Sequence, residues 1–67
     1  MGMLGQQIEK HFEKNGVNLS QAAQALGISV PELNEMLHGE KQISAEDYYR
    51  ICHFLGVDLN HFFNHSG

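Results

Sequence analysis

Between positions 18 and 39 the apolar residues recur every three or four positions, in two short blocks. The first block places its apolar side chains on one stripe of a helix of about two turns, formed by Leu19, Ala22, Ala23 and Leu26. The second block has the same helical spacing, and its inward residues are Leu33, Met36 and Leu37. A glycine follows each block, at Gly27 and Gly39, as expected where helices end. The pattern predicts two short helices joined by a tight turn.

The predicted turn contains the residues that a close helix crossing requires. Ala23 stands four residues before Gly27, so a small side chain faces the crossing while glycine accepts a left-handed backbone at the turn. Ile28 follows and can fill the corner. Ser29, with Glu32 three residues later, has the spacing of a capping box at the start of the second helix. This segment is therefore predicted to be a helix-turn-helix.

Three more helices are predicted around this motif. A first helix, which stops at Gly16, has an apolar stripe formed by Leu4, Ile8 and Phe12. A fourth helix begins at the cap residue Ser44 and has an apolar stripe formed by Ala45, Tyr48, Ile51, Cys52 and Leu55. A fifth begins at Asp58, where the preceding Val57 can pack against Phe62. The predicted fold class is all-α, a compact bundle of five short helices.

Length and composition limit what the chain can be. Residues 1–67 are enough for one domain with a small core, and the ends, residues 1–3 and 65–67, are expected to fray. The one cysteine, Cys52, excludes an internal disulfide and is interpreted as a small buried apolar residue. No apolar run is long enough for a signal peptide or a membrane span, which predicts a cytoplasmic location.

The segment 18–39 resembles the helix-turn-helix family of the lambda repressor/Cro type, also called the XRE type. The chain has a small residue, a turn glycine and apolar residues where that family has them, at Ala22, Ala23, Leu26, Gly27, Ile28, Leu33 and Met36. The resemblance continues through residues 39–44 and 55–58 and so covers nearly the whole chain. The wider pattern is similar to antidote proteins of some type II toxin-antitoxin modules. The resemblance implies a lambda repressor-like DNA-binding domain.

The resemblance also implies which residues meet DNA. The helix spanning residues 30–38 would enter the major groove, with Ser29 at its cap and with outward side chains at Val30, Pro31, Asn34, Glu35 and His38. Asn34 has the groups to bond adenine, Glu35 can accept from the cytosine amino group, and Val30 can contact a thymine methyl. This set predicts sequence-specific recognition of double-stranded DNA.

Phosphate contacts are predicted from two further places. The family rests the start of the first motif helix on a phosphate, which here would involve Ser20 and Gln21. Lys41, in the loop after the recognition helix, stands where family members often hold the DNA backbone. For each of these residues, plain solvent exposure is the alternative interpretation.

The charge of the chain opposes indiscriminate DNA binding. The formal net charge is −4, and the predicted recognition helix has neither arginine nor lysine. The alternative function is therefore an acidic protein-protein interaction module on the same scaffold, with little DNA affinity. DNA binding is preferred because of the family resemblance, with the chain acting as a transcriptional regulator, most simply a repressor without a cofactor.

A homodimer is expected, because two recognition helices would then enter successive major grooves about 34 Å apart. Its interface would use aromatic residues left outside the core, at Tyr49, Phe54 and one of Phe62 and Phe63. Ordinary surface aromatics are the alternative. A separate protein partner is also compatible with the antidote-like pattern.

Catalysis and metal binding have no convincing set of residues. The sequence has no phosphate-binding glycine loop and no set of nucleophile, base and orienting residue, so an enzyme is not predicted. His61 and His65 have the i, i+4 spacing of zinc ligands, but two imidazoles without a third ligand do not predict a metal site.

Overall fold

The computed structural model describes residues 3–62 and contains four α-helices within them. They are α1 (Met3–Asn15), α2 (Leu19–Leu26), α3 (Val30–Leu37) and α4 (Ala45–Leu55). Helix α1 packs against α3, and α2 packs against both α3 and α4. The all-α fold class is confirmed for the described residues, and the predicted helix-turn-helix is α2, its turn and α3.

Three helices end in the same way, at a glycine with a left-handed backbone. The φ angles are 63°, 74° and 72° at Gly16, Gly27 and Gly56. An apolar residue follows each glycine, and its N–H donates to the carbonyl five residues earlier at 2.9 to 3.0 Å, as seen for Val17, Ile28 and Val57. This arrangement satisfies carbonyls that a helix end leaves without partners, and it turns an apolar side chain back towards the core.

Polar side chains begin the helices at the predicted positions. The Asn18 side chain accepts from the Gln21 N–H at 2.9 Å, and the Ser29 hydroxyl accepts from the Glu32 N–H at 3.1 Å. Ser44 caps α4 in the same way, at 3.1 Å. These bonds satisfy N–H groups that have no partner within the helix, so local sequence alone fixes where α2, α3 and α4 begin.

One continuous core holds the helices together. It contains Ile8 and Phe12 from α1, and from the motif Ala22, Ala23, Leu26, Leu33, Met36 and Leu37. Helix α4 adds Tyr48, Ile51 and Cys52, and the C-terminal turn adds Phe62. Ala23 is only 2% exposed, as the predicted close crossing requires. The predicted apolar stripes are confirmed except at Ala45, which is exposed in the first turn of α4, and Leu4, Leu19 and Leu55 are half-buried at the edges of the core.

The predicted fifth helix is not present among the described residues. After Asp58 the chain makes a turn in which the His61 N–H donates to the Asp58 carbonyl at 2.9 Å. The Tyr48 hydroxyl donates to the carbonyl oxygen of Leu59. In a helix, that oxygen would instead accept a hydrogen bond from the N–H group four residues later. Phe62 is drawn into the core instead. Residues 3–62 therefore contain four helices where five were predicted. Residues 63–67 lie outside the described residues.

Helices α1 and α3 cross at a glycine, Gly5, that the sequence patterns did not indicate. Gly5 lies in the first turns of α1 and is buried against the end of α3. A methyl group on Gly5 would overlap the carbonyl oxygen of Met36 and approach that of Leu37 to 3.0 Å. The two helices therefore touch through backbone atoms at this point.

We expect Gly5→Ala to destabilise the protein. Helix propensity alone would make this substitution stabilising by about 1 kcal/mol. The overlap with backbone atoms of α3 reverses the sign, and overpacking of this kind costs about 1 to 3 kcal/mol. Chemical denaturation measures the change, with Gln6→Ala at the exposed neighbouring position as the control. Greater stability in the Gly5 variant would show that the helices do not cross this closely.

The C-terminal turn packs aromatic rings against α1. The rings of His11 and His61 meet edge to face with centroids 5.3 Å apart, and the ring of Phe62 lies 5.6 Å from His11 and 4.9 Å from His61. Partial burial, the imidazole of His61 and the ammonium group of Lys14 lower the pKa of His11 from its usual value of 6.5. His11 thus packs between α1 and the C-terminal turn.

This pKa predicts that stability falls in acid. The folded protein resists protonation of His11 more than the unfolded chain does, so unfolding takes up protons. The contribution of His11 is complete above pH 6.5 and is lost as the pH falls through the lowered pKa of the folded state. Thermal unfolding at about pH 7.5 and about pH 5 measures it. We expect His11→Gln to reduce the difference in Tm, and His53→Gln to leave it unchanged. Equal pH dependence in both variants would contradict this account.

Candidate nucleic-acid interface

The outer face of α3 lies opposite the three side chains that anchor it in the core. Of the predicted contact residues, Pro31, Glu35 and His38 are exposed there. Val30 is half-buried and packs against the core, which leaves only part of its surface accessible. Asn34 is also half-buried. All five predicted residues therefore lie on one surface of α3. Pro31, Glu35 and His38 are exposed there, whereas Val30 and Asn34 are only partly accessible.

One edge of this surface faces acidic residues of α1. Asn34 lines a groove of about 200 Å³ beside Glu9 and Glu13. Further along α3, the His38 Nε2 lies 3.2 Å from the Glu9 Oε2. An anionic backbone approaching α3 from this edge would meet the two carboxylates of Glu9 and Glu13.

The polar residues at the starts of α2 and α3 are exposed. Ser20 and Gln21 lie in the first turn of α2, where backbone N–H groups and the positive end of the helix dipole favour an anion. The Ser29 hydroxyl is occupied as the cap of α3, since it accepts from the Glu32 N–H. Ser20 and Gln21 thus have the position that a phosphate contact requires, and Ser29 has a structural role.

The cation closest to the recognition helix is held by that helix. The Lys41 ammonium group donates to the Glu32 carboxylate, which lies on α3. This hydrogen bond, together with the negative charges of Glu32, Glu35 and Asp47, raises the pKa of Lys41. The sequence patterns predicted a phosphate contact for Lys41 and did not indicate its partner, because the two residues are nine positions apart and a helix end lies between them.

The other three cations of the chain lie elsewhere. The Arg50 guanidinium donates to Glu46 at 2.8 Å, one turn earlier on α4. Lys10 and Lys14 lie on α1 and line a groove beside the C-terminal turn. The candidate face therefore has two carboxylates, Glu32 and Glu35, and one cation that is already paired.

Comparison with known proteins agrees with this geometry. A family model described as helix-turn-helix matches residues 8–62. The chain belongs to the helix-turn-helix family. No curated protein and no solved structure shows significant similarity to this helix-turn-helix protein. The narrower likeness to antidote proteins of toxin-antitoxin modules stays a prediction.

Two further properties concern other kinds of function. In residues 3–62 of this helix-turn-helix protein, no three potential metal ligands come together. His65, the predicted companion of His61, lies outside the described residues. None of the helices described is long and apolar enough to cross a membrane.

Proposed function

We propose that this protein is a sequence-specific DNA-binding transcriptional regulator, acting as a homodimeric repressor. The observation that carries this proposal is the free outer face of α3, held at a helix-turn-helix corner in a chain that matches the family over residues 8–62. Helix α3 would enter the major groove, and the start of α2 would rest on the phosphate backbone. A cytoplasmic location and a toxin-type protein partner belong to the same proposal.

The acidic recognition face sets the character of this binding. Base contacts would come from Asn34, Glu35 and the exposed part of Val30, whereas phosphate contacts would come from Ser20, Gln21 and Lys41. Lys41 must exchange the Glu32 carboxylate for a phosphate, so each contact it gains is offset by one that it loses. Non-specific affinity would be weak, because that affinity depends on phosphate neutralisation.

The same observation favours a second candidate function. A face with Glu32 and Glu35 and a paired Lys41 is complementary to a basic protein surface as well as to selected base edges. In this alternative the protein is an interaction module that uses α3 to bind a partner and has little DNA affinity. The two candidates differ in whether a duplex binds at all.

Selection from a random DNA pool at low salt distinguishes the two candidates. We expect enrichment of a defined site, with tighter binding at about pH 6 than at about pH 8. The reason is that each histidine that gains a proton between these pH values makes the formal net charge, which is −4 with neutral histidines, less negative. Absence of binding at both pH values would contradict DNA recognition and leave the interaction module.

We expect Glu32→Gln to raise DNA affinity roughly threefold at low salt, because it releases Lys41 and removes a charge that repels phosphate. Lys41→Ala should weaken binding to all sequences alike and reduce the salt slope by about one. Fluorescence anisotropy over a salt series measures both changes. Glu46→Gln is the matched control, since it removes the carboxylate partner of Arg50 on α4. An equal effect in Glu46→Gln would mean that only net charge matters.

The proposed dimer would use the exposed aromatic surface of α4. The Tyr49 side chain is 57% exposed and stacks on the ring of His53, with centroids 6.2 Å apart. Phe54 is half-buried and Phe62 lies in the core, so neither contributes as freely as expected. Phe63 lies outside the described residues. Of the aromatic residues predicted for the interface, Tyr49 is therefore the one with a large exposed side chain in the described residues.

We expect Tyr49→Ser to weaken self-association, since it removes the largest exposed apolar side chain of α4 from the interface. Sedimentation equilibrium over a concentration series gives the dimer dissociation constant, which should rise roughly tenfold or more. Gln42→Ser, in the exposed loop before α4, is the control. An unchanged dissociation constant would place the interface elsewhere.

A further inference from the structure

A second concave surface lies away from the candidate DNA-binding face, between α1 and the C-terminal turn. Its volume is about 500 Å³, within the range of small-molecule sites. Its lining includes Gln7, Lys10, His11, Lys14, His61 and Phe62. Nothing in the proposed recognition of DNA uses these residues.

The groove is cationic although the chain as a whole is acidic. It is lined by two of the four lysine and arginine residues and by two of the five histidines, and no carboxylate is among its described lining residues. The acidic residues of α1, Glu9 and Glu13, line the smaller groove beside α3 instead. Residues 63–67 add a histidine to the sequence and no acidic side chain. The two lysines of α1 thus line one groove, and its two glutamates line the other.

Aromatic rings form the apolar part of the same groove. The Phe62 ring meets both imidazoles edge to face, with centroids 4.9 Å from His61 and 5.6 Å from His11. The rings therefore supply a flat apolar surface beside the two lysines.

We propose that this groove binds a small organic anion with a flat, apolar body. The ammonium groups of Lys10 and Lys14, one helical turn apart, would hold the anionic head and be relieved of their mutual repulsion. The body of the ligand would lie against the rings of Phe62 and His61. The lowered pKa of His11, to which the nearby Lys14 contributes, agrees with a site that lacks a negative charge of its own.

Phenyl phosphate is a suitable probe, with inorganic phosphate and phenol as its charged and aromatic halves. We expect phenyl phosphate to bind more tightly than either half and to shift the NMR signals of His11, His61 and Phe62. Lys10→Gln/Lys14→Gln should weaken binding roughly tenfold or more, because it removes both charge-assisted contacts. The single variants Lys10→Gln and Lys14→Gln should each weaken binding in part, whereas Arg50→Gln removes one positive charge on α4 and should leave affinity unchanged.

Three results would overturn this site. They are no shifts with phenyl phosphate, equal weakening by Arg50→Gln and by the single lysine variants, and equal affinity for phenyl phosphate and either half. Thermal unfolding of the variants checks that the fold is intact, and both groove lysines are exposed. Failure of this experiment leaves the proposed DNA recognition untouched, since the probe is not a nucleic acid.

Discussion

The burial of one side of α3 is the constraint on which the rest of the structure depends. Leu33, Met36 and Leu37 are each no more than 1% exposed, so the helix cannot rotate without exposing them to water. Gly5 lets α1 approach the end of α3 to backbone contact, and Ala23 lies buried at the crossing within the motif. With its inner side fixed in this way, α3 presents an outer side of fixed composition, and that composition determines what the protein can bind.

Electrostatics then distinguishes the surfaces of a very small domain. On the outer face of α3, Lys41 forms an ion pair with Glu32, so any anion that approaches this lysine competes with a carboxylate of the protein itself. Helix α1 divides its charges, with carboxylates towards α3 and the lysines towards the C-terminal turn. Net charge alone would describe the chain as acidic throughout. The arrangement instead places two carboxylates on the outer face of α3 and two lysines in the groove beside the C-terminal turn.

Local signals in the sequence predicted most of the fold. Each helix boundary within residues 3–62 depends on a glycine, a cap residue or an apolar spacing that acts over at most five residues, as Gly27 and Ser29 illustrate. The failures involve residues distant in sequence. Asp58 has the same local signal as Ser29, yet the contacts of Tyr48 with Leu59 and the burial of Phe62 replace the helix with a turn. The Lys41 partner and the role of Gly5 likewise depend on how α3 packs, which no short pattern records.

The central claim is that the corner between α2 and α3 exists to present the outer face of α3 to DNA. NMR titration of the isotopically labelled protein with its selected duplex, at low salt, tests this claim most directly. We predict the largest amide shifts at residues 18–21 and 29–38, with little change along the lysine-lined side of α1. Largest shifts on α4 or in the lysine-lined groove, with the α3 signals unmoved, would contradict the account.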